Sequence, residues 1–337
     1  MNGIINQITP AAGVEGGEVT IRCNDFGSDN YAACGVYFGE NKGRIVSASA
    51  SRVIAAVPSG QSTSGSLRLE SEFFSSKSPF ICGERIADNL YSVANPVVDP
   101  ENDDIYVAYS GSRGQKSPVS VYKIVGEDEP TPYLSDVMNV TGMAFDRSGV
   151  LHLTSRYDGV LYRVTPFKEA EIVAEDLGVA TGLAFNSRGK AYVGDRSGTI
   201  FEINDLGESR PFASMEPSVS AYHLAFSPSG DLYATGPTVS TFDSVMRINA
   251  VGEVTKFYTG LGRPQGLAFD NVGNLYVAAS WRGHRGIIKI SEDGNSAEVV
   301  VAGSDLVGLA FGKKGQMIVV SRHNVYSLPL GIIGFFG

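Results

Sequence analysis

Hydrophobic and polar residues alternate in short runs along most of the chain, and turns rich in Gly, Asn, Asp and Ser separate the runs. One example is "KAYVGD" (190–195), which is followed by the turn "RSG" (196–198) and by "TIFEIND" (199–205). A period of two with many aromatic and β-branched residues is typical of β-strands that bury one face. The 40 glycines and 15 tyrosines favour turns and strands over helices. The pattern predicts an all-β fold.

One unit of this pattern recurs at intervals of about 40 residues. Its first strand ends in a common motif, seen as "TGMAF" (141–145), "TGLAF" (181–185), "HLAF" (223–226), "QGLAF" (265–269) and "VGLAF" (307–311). A more divergent copy occupies 94–126. Four strands follow one another in each copy, which is the organisation of a β-propeller blade. The sequence therefore predicts a six-bladed β-propeller over residues 84–337.

The last copy of the repeat lacks a fourth strand. The segment "ERIADNLYSVANPV" (84–97) is similar to "EIVAEDLGVATGLA" (171–184), where an outer strand runs into the next repeat. We expect a strand at about 85–91, with Ile86–Leu90 at its centre, to complete the sixth blade. Such a ring closure leaves no open sheet edge.

Residues 1–83 do not carry the repeat, but they contain short strand patterns at regular spacing. This spacing predicts a small β-sandwich domain. The segment resembles the IPT/TIG immunoglobulin-like (Ig-like) family in four features: a Pro-x-x-Gly-x-x-Gly-Gly start, an Asp-Phe-Gly turn, a "VYFG" strand and an "AAVP" turn (10–17, 25–27, 36–39 and 55–58). The resemblance implies a spacer or binding module without catalysis.

Residues 84–337 resemble the NHL and gluconolactonase (senescence-marker-protein) group of six-bladed propellers, on repeats such as "GLAFDNVGNLYV" (266–277). The resemblance implies a divalent metal, calcium, held at the mouth of the central channel by Glu, Asp and Asn side chains. Ala94 and Gln265 stand at the two carboxylate positions, so those ligands are missing. Asn95 and Asn139 remain as uncharged donors. The residues themselves predict no metal site, the resemblance alone leaves a divalent metal such as calcium open, and no other cofactor is evident.

Charge and composition narrow the partners. The net charge of −9 disfavours nucleic acid, which recruits basic surfaces. No apolar run approaches the roughly 20 residues of a membrane span. No signal peptide is visible, so we expect a cytoplasmic protein, or an extracellular or periplasmic one if the chain has been trimmed. Three cysteines are too few for a disulfide framework; Cys23 and Cys34 could pair, although buried free thiols are the favoured interpretation.

Arginines recur at one position of the repeat. Arg156, Arg196 and Arg322 follow the second strand of three blades, and the longer loops of two others supply Arg113 and Arg282. In a propeller these loops and the loops that enter the inner strands open on the same face. We predict an arginine rim that binds an anion, because guanidinium groups pair with carboxylates and phosphates. The alternative is that each arginine pairs with a carboxylate of a neighbouring blade.

Other candidate ligand-binding residues surround the predicted channel mouth or lie in its loops: Asn95, Thr141, Thr181, Asp195, Tyr222, Gln265 and Trp281. His223 replaces the Gly of four other repeats and is the candidate general base, with Tyr222 beside it. A zinc site formed by His223, His284 and His323 is a weaker hypothesis.

Two functions therefore stay open at the level of sequence. The first is a recognition protein that binds an anionic small molecule, a glycan or a protein segment at the propeller face. The second is a lactonase-like hydrolase or a propeller lyase that acts on a small lactone or ester with His223 as base and an atypical metal site or none.

Overall fold

The computed structural model describes residues 5–27, 34–60, 64–71, 75–111, 114–126, 128–240 and 242–336. Every regular element in these ranges is a β-strand, so the all-β prediction is confirmed. The part of the chain that the structure describes contains no helix that could span a membrane.

Five separate four-stranded sheets carry most of the repeat. Three are formed by consecutive strands: β14–β17 (Val140–Phe145, Leu151–Ser155, Val160–Val164 and Ala170–Ala174), β18–β21 (Ala180–Phe185, Ala191–Asp195, Thr199–Ile203 and Ser209–Ser214) and β22–β25 (His223–Phe226, Leu232–Thr235, Asp243–Ile248 and Val254–Leu261). A fourth is β10–β13 (Val97–Val98, Ile105–Ala108, Val121–Ile124 and Thr131–Leu134).

The fifth sheet joins the end of the repeat region to its beginning. Strands β30–β32 (Leu306–Phe311, Gln316–Ser321 and Val325–Pro329) are completed by β9 (Glu84–Ala87), which pairs antiparallel with β32. The predicted ring closure is confirmed, but the strand ends at Ala87 and does not extend over Ile86–Leu90 as predicted. The neighbouring sheets make a β-propeller.

One of the six predicted blades, the copy that starts with "QGLAF" (265–269), is not a separate sheet. Its strands β26–β29 (Leu267–Phe269, Leu275–Trp281, His284–Ile290 and Ala297–Ala302) end a 12-stranded sheet. Their inner strand β26 still contacts β22 on one side and β30 on the other. The reason for the merger is a two-residue strand, β2 (Ala12–Gly13), which pairs parallel with β29. The count of separate blades is therefore five, and the predicted count of six is corrected.

The predicted Ig-like sandwich is not confirmed either. The strands before residue 83 form one continuous order, β1-β3-β6-β5-β4-β7-β8-β2, because β5 pairs with strands on both sides. Their bounds are Ile5–Thr9, Ala12–Gly13, Glu18–Cys23, Gly35–Phe38, Asn41–Ser49, Arg52–Ala56, Ser64–Glu70 and Ser75–Cys82 for β1 to β8. These strands bury their own apolar cluster, and Cys23, Cys34 and Cys82 lie in it as free thiols. Burial raises the pKa of the Cys82 thiol to about 11.

Edge-to-face aromatic pairs join successive repeats. In four repeats a tyrosine of the second strand meets the phenylalanine that ends the next inner strand, as in Tyr192–Phe226 and Tyr233–Phe269, with ring centroids 5.2 and 4.9 Å apart. His152 takes the place of the tyrosine in one repeat and meets Phe185 at 4.9 Å. His152 is thus packed between blades. Each such pair adds about 0.5–1.5 kcal/mol beyond the buried area.

Candidate functional site

A cavity of about 260 Å³, which we call the mouth cavity, opens where the loops at one end of the inner strands meet. Its walls come from at least five repeats. Four of its lining side chains are arginines: Arg156, Arg196, Arg263 and Arg322. Thr141, Thr181, Ser220 and Gln265 add polar groups, and the walls contain no carboxylate among the described residues. The two sets of loops that sequence assigned to one face do meet there.

The repeat fixes the positions of three of these arginines. Arg156, Arg196 and Arg322 each follow directly after a second strand, β15, β19 or β31. Arg196 also ties two repeats together, because its carbonyl accepts a hydrogen bond from Ser218 N at 3.0 Å. The carbonyl of Arg322 accepts an equivalent bond from Ser92 N at 3.1 Å. The strand ends therefore hold the bases of these side chains on a rigid frame.

Arg263 is the functional candidate that sequence analysis missed. It lies between an outer strand and the next inner strand, whereas the prediction considered arginines only in loops after second strands. The residue adopts a left-handed conformation (φ 49°), which is uncommon for a side chain other than Gly. Backbone hydrogen bonds from Gly262 N to Ser280 O (2.7 Å) and from Gln265 N to Ala278 O (2.9 Å) hold both sides of it. This uncommon backbone conformation places a cation at the cavity, and it could be recognised only in the structure, not in the sequence.

Three of the four mouth arginines, Arg196, Arg263 and Arg322, are exposed and form no ion pair among the described residues. Within the described ranges, ion pairs engage arginines that do not line the cavity: Arg68, Arg85, Arg163, Arg210 and Arg247. Arg196 Nε donates to the neutral carbonyl of Ser218 at 3.2 Å, and Arg156 Nη2 donates to that of Gly111 at 3.3 Å. Like charges gathered this way repel one another, and an anion between them relieves the repulsion.

Two predicted binding residues of the wall have structural partners. The hydroxyl of Thr141 donates to Ala180 O at 3.0 Å, and that of Thr181 donates to Gly194 O at 2.9 Å. Both side chains are buried. They hold neighbouring strands together, which leaves Gln265 and the arginines as the more accessible polar groups of the cavity.

Three other predicted residues do not line the mouth cavity. Asn95 bridges inner strands, donating to Leu267 O at 2.9 Å and accepting from Leu309 N at 3.1 Å. Asp195 is buried and accepts from Val179 N at 2.8 Å. Tyr222 is 4% exposed, and its hydroxyl donates to Glu216 O. Burial, with the negative charges of Glu216 and Asp195 as smaller causes, raises the pKa of Tyr222 to about 12.

His223 faces the interior of the propeller. It lines a separate cavity of about 240 Å³, the channel cavity, which the inner strands surround and which reaches Phe335 and Phe336 at its other end. The side chain is 4% exposed. Burial alone lowers the pKa of His223 to about 4, so its imidazole is neutral at pH 7. Thr141 is common to the walls of both cavities.

The predicted rim does not include the tryptophan loop. Trp281 and Arg282 line a third cavity, beside Gln7–Ala12 of the N-terminal strands. There the Arg282 guanidinium lies 4.5 Å from the centre of the Trp281 ring, and Trp281 Nε1 donates to Tyr258 Oη at 2.8 Å. Arg113 lies outside the described residues, so its place in the arginine rim stays a prediction.

The residues at the mouth do not fit the calcium site that the propeller resemblance implies. Calcium prefers several oxygen ligands, with carboxylates among them. Ala94 and Gln265 stand where carboxylates are needed, and four arginines surround the cavity instead. The described residues contain no group of three or more His, Cys, Asp or Glu side chains that could hold a metal ion. The zinc hypothesis needs three histidines at one point, but His223 lines the channel cavity and His284 lines the third cavity.

Comparison with known proteins identifies the fold. No protein-family model and no curated protein sequence matches the chain. An auxiliary nutrient binding protein from Bacteroides thetaiotaomicron is similar in structure, with 14% identity, a TM-score of 0.57 and 97% of each chain covered. A gluconolactonase from Xanthomonas campestris has 15% identity and a TM-score of 0.61 over 72% of this chain and 88% of its own. A luciferin-regenerating enzyme has 16% identity and a TM-score of 0.60 over 76% and 97%. Propellers of both binding proteins and enzymes thus share this fold, and at such identities the likeness concerns the fold alone.

Proposed function

We propose that this protein is a recognition protein that binds a small anion in the mouth cavity of its propeller. The observation that carries the proposal is the convergence of Arg156, Arg196, Arg263 and Arg322 on a cavity without carboxylates among its described lining residues. The chain as a whole has a net charge of −9, so the positive potential is local to this cavity. A local positive cavity on an acidic body concentrates anions and orients them.

The chemistry of arginine favours carboxylate or phosphate groups as the bound species. A guanidinium group offers several N–H donors in a planar fork and forms charge-assisted hydrogen bonds with two oxygens at once. Gln265 and the hydroxyl of Ser220 add neutral hydrogen-bonding groups to the same wall. A volume of about 260 Å³ suits a small organic acid or a phosphate ester rather than a folded partner. The structural likeness to a nutrient binding protein supports small-molecule binding.

The arrangement around His223 favours binding over hydrolysis. A general base must reach the proton that it removes and needs a pKa near the working pH. His223 is buried in the channel cavity, and its pKa of about 4 makes it a weak base. Tyr222, the residue that the sequence places beside His223, is engaged elsewhere, because its hydroxyl donates to Glu216 O.

The proposal is tested by isothermal titration of the full chain with inorganic phosphate, citrate and sulfate. In the double variant Arg196→Ala/Arg322→Ala we expect affinity for the best-bound anion to fall by about 100-fold, because hydrogen bonds to charged groups contribute about 1.5–3 kcal/mol each. The matched control is Arg282→Ala/Arg285→Ala, which removes two exposed arginines outside the mouth cavity. Equal affinities in the two double variants, or no binding by the wild type, would contradict the proposal.

The same proposal includes a division of the chain into two domains. Residues 84–337 form the propeller domain that carries the site, and residues 1–83 form a separate domain of the IPT/TIG type that acts as a spacer. The boundary is supported by the apolar cluster of the strands before residue 83, which includes only Ala302 from the propeller region, although Ala12 and Val14 pack into a propeller cluster. A fragment that begins at residue 84 tests it: retention of phosphate affinity is the expected outcome.

A further inference from the structure

A second cavity of about 570 Å³ lies next to the mouth cavity, and we call it the tyrosine cavity. Tyr91 and Tyr109 line it, together with the polar residues Gln115 and Ser117. It shares Ser92, Val93, Arg156 and Arg322 with the mouth cavity. Because two arginines border both cavities, one ligand can contact them from either side.

Tyr91 is exposed yet held in place. Its side chain is 52% exposed, an unusual degree for a large aromatic residue inside a cavity wall. Its ring meets Tyr109 and His323 edge to face, with centroids 5.6 and 5.0 Å apart. The backbone around it is fixed at the ring closure, since Tyr91 O accepts from Ser110 N at 2.8 Å and Leu90 N donates to His323 O at 3.0 Å. A rigid exposed aromatic ring is the kind of side chain that anchors a ligand at low entropic cost.

The tyrosine cavity therefore offers an exposed aromatic ring, that of Tyr91, and two guanidinium groups that it shares with the mouth cavity.

We propose that the tyrosine cavity binds a ring that is covalently joined to the anion held in the mouth cavity. The ligand class is a ring-bearing phosphate or carboxylate, in which the ring contacts Tyr91 and Tyr109 and the anionic group contacts Arg156 and Arg322. An aryl ring and the apolar C–H face of a sugar ring can both pack against a tyrosine, and both have a size that this cavity accepts. This inference rests on the proposed function of the mouth cavity.

The experiment compares three probes by isothermal titration of the full chain: inorganic phosphate, phenyl phosphate and glucose 6-phosphate. All three carry the same kind of anion, so differences report the ring. We expect at least one ring-bearing probe to bind about twofold to tenfold more tightly than inorganic phosphate, the range of an aromatic contact. A gain for phenyl phosphate identifies an aryl ligand, and a gain for glucose 6-phosphate identifies a sugar.

Variants separate this inference from the proposed function. In Tyr91→Ala we expect the gain to disappear while affinity for inorganic phosphate stays unchanged, and Tyr91→Phe should keep the gain. Phe167→Ala, which removes an 85% exposed ring that lines neither cavity, is the matched control. Arg196→Ala/Arg322→Ala should weaken the binding of all three probes.

Equal affinity of the wild type for all three probes, or a gain that survives in Tyr91→Ala, overturns the ring site but does not contradict the anion site. If the wild type binds none of the three probes, both the ring site and the anion site are contradicted.

Discussion

The mouth cavity and the channel cavity share the wall residue Thr141, yet the side chains that line them differ in charge. Four guanidinium groups surround the first. The second is lined mostly by apolar side chains of the inner strands and contains one imidazole, that of His223. Two adjoining cavities therefore differ in charge and in the ligands that they can accept.

The difference shows how burial selects which polar group remains charged. The arginines keep their charge because water reaches most of them and because guanidinium groups lose a proton only at very high pH. His223 is almost fully buried without a charged partner, so desolvation disfavours its protonated form. The mouth is thus suited to bind anions, whereas the channel holds a neutral hydrogen-bonding group.

The largest effect that would sharpen this comparison concerns the pH dependence of stability. The pKa of His223 is about 4 in the folded protein, against 6.5 for a histidine in an unfolded chain, so between these values the unfolded chain binds a proton that the folded chain does not. The free energy of unfolding therefore falls as pH falls from 7 to 4, and His223 accounts for about 3 kcal/mol of the loss. Urea unfolding of the wild type and of His223→Leu at both pH values measures this contribution.

We expect His223→Leu to lose about 3 kcal/mol less than the wild type over that range. His152 also has a pKa lowered by burial, but it is present in both proteins and its contribution cancels. An equal loss in the two proteins would mean that the imidazole of His223 can be protonated in the folded state, and the contrast between channel and mouth would fail.

A somewhat smaller effect tests the packing of the channel wall. Gly308 belongs to the inner strand β30, and a Cβ there would lie 2.7 Å from Asn95 Cα and 3.0 Å from Ala94 O. Gly308→Ala should destabilise the fold by about 1–3 kcal/mol, because these backbone atoms cannot move without separating strands. Thermal unfolding measures it, with Gly65→Ala as control, since a Cβ at Gly65 would lie 3.7 Å from its nearest neighbour, Phe80 O. If Gly308→Ala and Gly65→Ala have the same melting temperature, the packing around Gly308 is looser than the structure indicates.

The repeat pattern was sufficient to predict the positions of Arg156, Arg196 and Arg322. They occupy the same position in three copies of the repeat. Because the blades of a propeller are arranged around one axis, equivalent positions of the repeat lie around the same face. Arg263 could not be found this way, since its placement depends on a left-handed backbone between two anchored residues. The direction of a side chain was equally hidden, and for this reason Tyr222 and His223 were expected at the mouth but lie inside.

The N-terminal region shows a second limit of sequence patterns. Alternation predicted the strands before residue 83 but could not indicate that Ala12–Gly13 would pair with Ala302 of the propeller region. That pairing is between backbones and leaves no trace in hydropathy. It also explains why Trp281 and Arg282 face the N-terminal strands and line the third cavity instead of the mouth.

The most direct test of the central claim is a crystal of the full chain soaked in selenate, with an anomalous map calculated at the selenium edge. Selenate carries the charge and the oxygen arrangement that the arginines are expected to bind. We predict an anomalous peak within hydrogen-bonding distance of at least two of the four mouth arginines, Arg156, Arg196, Arg263 and Arg322. A mouth cavity without a peak, in a crystal that binds selenate at other surface arginines, would contradict the account.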